Sequence, residues 1–480
     1  MADEWFAGSR LLHPLVAVIN LPLDQVNFIS CQLVSLLLAY VYRTSFAADK
    51  TSPTIRHAIS FPIGLAMAYF CFGNQTIHLL LQAGICVGVM TYIKSKEMPF
   101  IVLVIAMSHL SIMHIYRVLF DYGNFTLDIS GPLMIQTQKL TVLAFELYDG
   151  RREESKLKPE QKEKQVKALP SLLEVCGYLF NFHGILVGPM VFFTDYMAFI
   201  DGSNYTNAQK SQIDSDRSES TPSPGSQVIK KLVTAIICAL CFMFILPMFP
   251  PDSLITPEFQ AKPLLSKLLY LYVCMAIVRT RYYFAWSLTE AINTNAGLGF
   301  NGYDEAGDAK WNLATNANIA GVELGTSLKV ILDNWNITTT QWLRFVVYER
   351  VKVQKTLLVF AVSAFWHGFY PGYYFTFGGG AFLIMAARKI RRIVRPQFQT
   401  SESLKVVYDI ITLTFAQLSL SYCVFCFLTL EFWSTMNVYR SLYFYMHIGS
   451  LLVLLILPAK PASRPPKDGA TVAEPEKKTS

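Results

Sequence analysis

His367 stands in S-A-F-W-H-G-F-Y-P-G-Y-Y-F-T-F, residues 363–377, where almost every neighbour is apolar or aromatic. A neutral imidazole in such a setting can take the proton of a hydroxyl and turn a poor nucleophile into a competent one, and burial favours the neutral form. Pro371 and Gly372 break the helical pattern just beyond it. Broken helices inside a membrane are tolerated where they line a cavity, and Trp366, Tyr370, Tyr373, Tyr374 and Phe375 would wall one here. Upstream, D-N-W-N-I-T-T-T-Q-W-L-R-F-V-V-Y-E-R, residues 333–350, places Asn336 before an amphipathic helix that Thr338–Thr340 can cap. An amide at that positive helix end suits the stabilisation of developing negative charge. Plainer readings stand beside both. A lone histidine can be a core residue bonded to the next helix, and Asn336-Ile337-Thr338 fits a glycosylation sequon, as do the triplets at Asn74, Asn124 and Asn204. His78, His109, His114, His183 and His447 compete with His367, and His183, close to Glu174 and Asn181, is the strongest rival.

The elements that must hold these residues belong to a membrane protein. The chain is 52% hydrophobic and only 16% charged, with a mean hydropathy of +0.35; so much apolar surface calls for lipid, and the expected class is an all-α polytopic protein. Apolar segments are expected at 26–42, 57–72, 76–93, 99–119, 232–249, 264–278, 282–296, 356–387, 404–430 and 443–457. Two more, 133–148 and 172–193, carry polar groups. The total is about ten to twelve transmembrane helices, several of them tilted, short or broken. A helix entering near Lys355 would carry His367 roughly 18 Å deep, near the middle of a ~30 Å core.

Residues 1–459 read as a single membrane domain and 460–480 as a cytosolic, basic, disordered tail. The first residues, M-A-D-E-W-F, lack the basic start of a signal peptide. The charged stretch 151–170 and the Ser/Pro/Asp-rich stretch 204–227 read as solvated connections that cannot pack. The basic run 388–395 and the basic tail, set against a 431–438 connection without Lys or Arg, place the C-terminus in the cytosol. The net charge of +7 then faces anionic lipid rather than nucleic acid. The terminal K-K-T-S looks like a dilysine retrieval signal, which implies the endoplasmic-reticulum membrane. Nine cysteines, most in apolar segments, suggest neither a disulfide framework nor a metal site: two C-x-x-C pairs stand without partner ligands.

At Trp335-Asn336 and Trp366-His367-Gly368 with Pro371–Tyr374, the chain resembles the membrane-bound O-acyltransferases, and within them lysophospholipid acyltransferases 1 and 2. Further matches are L-P-L-D-Q-V-N-F (21–28), S-G-P-L-M-I-Q-T-Q-K (130–139), P-S-L-L-E (170–174), Y-Y-F-A-W (282–286) and G-L-G-F-N-G (297–302). Thr194 stands where the family carries Lys, which points to a difference in substrate preference. The resemblance implies helices around a central tunnel, with no permanent cofactor and with acyl-CoA as co-substrate entering from the cytosol. It implies transfer of an unsaturated, oleoyl-like acyl group to the free hydroxyl of lysophosphatidylethanolamine, lysophosphatidylserine or lysophosphatidylcholine. His367 would be the general base and Asn336 its partner at the oxyanion. Trp335, Trp366 and Tyr370 would contact substrate, and Lys310, Trp311, Arg344 and Arg350 would meet the CoA phosphates unless they are ordinary membrane-flanking charge. The alternatives are acylation of a protein or sterol, and a transporter without catalysis; no inverted repeat favours the latter. No P-loop, G-x-S-x-G, H-E-x-x-H or H-x-x-x-x-D occurs. Oligomeric state is not legible.

Overall fold

A computed structural model of the chain describes residues 6–124, 126–211 and 221–458; the tail 460–480 and its K-K-T-S lie outside them. Apart from one isolated bridge between Tyr303 and Ala309, the described residues are helices and their connections. This follows from the composition: in lipid every backbone N–H and C=O must find a partner, and a helix satisfies its own. The helices that matter here are α1 (Leu23–Ser45), α2 (Pro53–Phe72), α3 (Ile77–Tyr92), α4 (Met98–Phe120), α5 (Ser130–Gly150), α6 (Gly225–Leu240) and α7 (Leu264–Ala296). They continue with α8 (Ile337–Leu343), α9 (Lys355–His367), α10 (Pro371–Val394), α11 (Glu402–Val424), α12 (Phe432–Ser441) and α13 (Tyr445–Ile456).

Among the described residues, five helical runs are long and apolar enough to cross a bilayer: 23–45, 53–92, 98–120, 225–255 and 402–429. The α12–α13 pair, bent by 76°, makes a sixth when counted as one span. The remaining apolar stretches of the expected ten to twelve are short, as α9 is, carry buried polar groups, or run into basic residues, as α10 does. The stretches 264–278 and 282–296 are one uninterrupted 33-residue helix, α7. Its charged centre does not break it, because Arg279 turns inward and forms a two-pronged pair with Glu323 (2.6 and 2.8 Å).

The stretch 151–170 was expected to stay solvated, and it packs instead. It forms short helices at Glu154–Lys156 and Pro159–Glu163, buries Gln161, and ties back through Lys164 to Asp195 (2.7 Å) and through Lys158 to Glu349 (3.6 Å). Its charges find partners, so the run folds onto the body rather than standing off it. Residues 203–211 of the second polar stretch are likewise helical.

Helix α5 is the interior post. Sixteen of its 21 residues are buried, including Gln136, Gln138, Lys139, Glu146 and Asp149. A buried polar group without a partner costs about 1–3 kcal/mol, and most of these reach one. Gln136 donates to the Leu79 carbonyl (2.8 Å), Gln82 of α3 to Thr137 (3.1 Å) and Lys139 to the Tyr178 carbonyl (2.9 Å). Their geometry fixes the neighbours of α5 in register.

The break between α9 and α10 is set by two glycines and a proline. Gly368 has φ 118° and ψ −157°, a region essentially open only to glycine. Pro371 then begins α10 at a position where its missing N–H costs nothing. Gly372 donates to the Leu430 carbonyl (2.8 Å), and a Cβ there would lie 2.0 Å from the Cys426 carbonyl oxygen. Gly372→Ala is therefore expected to destabilise the protein by about 1–3 kcal/mol through overpacking. Thermal unfolding in detergent checks this, and an unchanged midpoint would show that the helix pair can separate freely.

Candidate active site

His367 is the last residue of α9. Its helix end is held from two sides: the Trp366 indole donates to the Met134 carbonyl of α5 (3.0 Å), and His114 Nε2 of α4 donates to the Trp366 carbonyl (3.0 Å). Behind the imidazole, a Cβ on Gly368 would come 3.1 Å from the His114 ring. The His367 ring itself is bounded by aromatic faces, with centroids at 4.7 Å to Trp366, 4.9 Å to Phe377 and 5.1 Å to Phe427. No hydrogen bond reaches it among the described residues, so its nitrogens are left for the space in front of them.

Asn336 occupies the N-cap position of α8 in the left-handed region, φ 48° and ψ 52°, a conformation that asparagine tolerates better than other residues with a Cβ. The expectation that Thr338–Thr340 cap this helix is not met: they lie within its first turns. The cap is supplied from outside by Asn316, whose Oδ1 accepts from the Thr338 amide and hydroxyl (3.2 and 2.8 Å) and whose carbonyl accepts from the Ile337 amide (2.8 Å). With the helix end satisfied by another residue, the Asn336 side chain makes no capping bond. Helix α8 is pinned in turn to α5, Gln138 donating to Thr339 (2.9 Å) and the Trp342 indole to Thr141 (2.9 Å).

These two helix ends meet at one cavity of about 480 Å³, and both Asn336 and His367 line it. Trp366 and Tyr370 line it too, the Tyr370 hydroxyl accepting from the Gly123 amide (3.1 Å). Trp335 does not; its ring packs edge-on against Trp286 (4.9 Å) and Tyr282 (5.7 Å), bracing Asn336 from behind. None of the four residues expected at the CoA phosphates lines this cavity. Lys310 is exposed in the loop after α7. Trp311 is buried against Phe300 at 5.5 Å. Arg344 is exposed between Glu349 (3.2 Å) and Glu160 (3.7 Å); burial pushes the Glu160 carboxyl above its usual range, and Arg344 opposes the shift. Arg350 is spent within the fold: it grips both oxygens of buried Asp149 at 2.7 Å and donates to the Phe345 carbonyl.

His183, the strongest rival, is a core residue, sealed by Phe182 and Phe199 (5.2 and 5.6 Å) and bonded to Asn293 (3.0 Å). His78 and His109 bond each other (3.2 Å) and His447 bonds Tyr422 (2.8 Å). Among the described residues no three His, Cys, Asp or Glu side chains converge as metal ligands, and the cysteines are free. The sequence reading did not anticipate Asn316 or the supporting role of His114. Neither carries a local signal, because both act through partners distant in sequence.

An imidazole and an amide line one cavity inside a bundle of apolar helices, several of them long enough to cross a bilayer, the architecture of a multi-pass membrane protein. The chain belongs to the membrane-bound O-acyltransferase family, whose sequence model matches residues 115–429, a span that holds both site helices; it is accordingly an O-acyltransferase. It is 43% identical to membrane-bound glycerophospholipid O-acyltransferase 2 of Rattus norvegicus over 97% of this chain and 90% of that one. Membrane-bound glycerophospholipid O-acyltransferase 1 of Mus musculus is 42% identical over 95% of this chain and 94% of its own. Lysophospholipid acyltransferase 6 of Drosophila melanogaster is 40% identical over 95% of this chain and 64% of its own.

The Arg350–Asp149 pair supplies a test of its role. Removing one partner of a buried ion pair costs about 3–5 kcal/mol, so Asp149→Asn and Arg350→Gln are expected to lower thermal stability alike, and the double variant by less than their sum. A raised KM for the acyl donor in Arg350→Gln with unchanged stability would return this arginine to substrate binding.

Proposed function

We propose that the protein transfers a fatty acyl group from acyl-CoA to the free hydroxyl of a lysophospholipid, giving a diacyl phospholipid and CoA. The observation that carries this reading is that His367 and Asn336, brought from separate helices, line the same cavity. The names of the relatives supply the substrate class: glycerophospholipids for the rat and mouse proteins, a lysophospholipid for the fly protein. Ethanolamine, serine and choline head groups and an unsaturated, oleoyl-like chain are the substrates we put first. An endoplasmic-reticulum location with the tail 460–480 in the cytosol belongs to the same proposal.

In this mechanism His367 takes the hydroxyl proton as the oxygen attacks the thioester carbonyl. The Asn336 amide donates to the oxyanion of the tetrahedral intermediate. The intermediate collapses by breaking the C–S bond, and the CoA thiolate leaves with the proton from the imidazolium. No acyl-enzyme forms. The aromatic rings around His367 exclude water, which would otherwise hydrolyse the thioester.

His367→Ala is expected to abolish transfer of labelled oleoyl-CoA to lysophosphatidylethanolamine while the protein stays folded in detergent; near-wild-type turnover would refute the assignment. Asn336→Gly is the sharper test of the amide, since glycine keeps the left-handed backbone. It is expected to lower kcat roughly a hundredfold or more, the scale of a lost oxyanion donor. A change confined to KM would move Asn336 from chemistry to binding. A sterol or peptide acceptor preferred over all lysolipids would overturn the substrate class.

A further inference from the structure

Of the described residues that line the cavity, Asp128 alone carries a carboxylate. It stands in the loop between α4 and α5, and that loop is fastened from several sides. The Gly123 amide donates to the Tyr370 hydroxyl (3.1 Å), the Leu127 amide to Asp24 Oδ2 of α1 (2.8 Å), and Arg117 of α4 to the carbonyls of Asn124 and Thr126 (2.8 and 3.0 Å). Asp128 Oδ1 accepts from the Ser130 amide (3.0 Å) and hydroxyl at the start of α5, and it faces Arg117 at 3.5 Å. Oδ1 alone meets these structural duties. Oδ2 takes no hydrogen bond among the described residues, and the side chain is still 26% exposed where it lines the cavity.

Helix α4 relates Asp128 to the base. His114 bonds the Trp366 carbonyl and backs Gly368, which puts it at the level of His367. Arg117 follows three residues later on the same helix face, about 4.5 Å further along the axis, and both line the cavity. Asp128 lies beside Arg117. From His367 outward the wall therefore presents a base, then a cation, then an anion. A lysophospholipid with an amino head group presents the complementary order: a hydroxyl, a phosphate four bonds on, and a nitrogen cation four bonds beyond that. Moving such a cation from water into a largely apolar cavity is costly unless an anion meets it.

We infer that Asp128 receives the head-group nitrogen cation of the acyl acceptor, with the acceptor phosphate turned toward Arg117. The inference rests on the proposed function, which supplies an acceptor of this kind. Asp128 then determines specificity: it recognises the charge that ethanolamine, serine and choline lysolipids share, and it discriminates against glycerol and inositol head groups, which lack it.

The test uses full-length protein in detergent, as wild type, Asp128→Asn and Asp128→Glu. Asparagine keeps an oxygen for the Ser130 amide and removes the charge; glutamate keeps the charge. Binding is read without turnover, with lysophosphatidylethanolamine and lysophosphatidylglycerol analogues that lack the acceptor hydroxyl and carry the same acyl chain. Asp128→Asn is expected to weaken the ethanolamine analogue roughly tenfold or more, the scale of a lost charge-assisted hydrogen bond, and to weaken the glycerol analogue by no more than about twofold. In turnover, KM for ethanolamine and serine acceptors should rise with kcat little changed, and Asp128→Glu should recover part of the loss. Equal weakening of both analogues would reduce Asp128 to its structural duties and overturn the assignment, as would an unchanged affinity for the ethanolamine analogue or a wild type that binds neither. A wild type that binds the ethanolamine analogue but acylates no lysophospholipid would overturn the proposed function, while the comparison of the two analogues still decides Asp128.

Discussion

Hydrogen bonding of polar side chains inside an apolar bundle is the constraint on which this architecture depends. Helix α5 is buried along most of its length and yet carries glutamines, threonines, a lysine and an aspartate, so it is stable only where its neighbours complete its bonds. Its partners are the two helices that carry the site. Met134 accepts from Trp366, Gln138 donates to Thr339, and Thr141 accepts from Trp342. Three bonds along one rigid helix thereby set where α8 and α9 stand relative to each other. The apolar core supplies cohesion, which is non-directional; these bonds supply the registration that chemistry requires.

The site also depends on conformations that a continuous helix cannot provide. Asn336 is exposed to the cavity because α8 begins at a left-handed residue whose capping duty has been taken by Asn316. His367 is exposed because α9 stops at Gly368, in a backbone region closed to side chains. In both cases an interruption, not a helix face, presents the side chain to the cavity, and distant residues stabilise the interruption. His114 does so for the carbonyl of Trp366, much as Asn316 does for the N-terminus of α8.

A good part of this was legible in the sequence. The apolar runs that became α1 to α4 and the break at Pro371 follow from composition and from the proline and glycines, and the histidine singled out in that aromatic-rich segment is one that the fold places on the cavity. Asn336 stands out in the sequence through its motif, and the fold places it on the same cavity. What was not legible depends on contacts between remote segments. Arg350 reads as a membrane-flanking cation, and only the fold brings it to Asp149, two hundred residues earlier. Lys310 and Trp311 are a basic and an aromatic residue side by side, which reads as a contact for CoA phosphates; what the sequence does not show is that their loop folds back on itself through the Asn301–Lys310 and Lys310–Gly302 backbone bonds and that neither lines the cavity. The charged stretch 151–170 looked unable to pack because its partners, Asp195 and Glu349, are invisible at that distance.

The outside capping of α8 bears on covalent modification as well. The Asn336–Ile337–Thr338 triplet has the letters of a sugar-acceptor site, but its threonine is 2% exposed and its hydroxyl is already donated to Asn316. The asparagine bends away from any extended strand. No transferase could grip the segment without first unwinding α8 from the post that holds it, so in the folded protein the triplet is closed to sugar attachment.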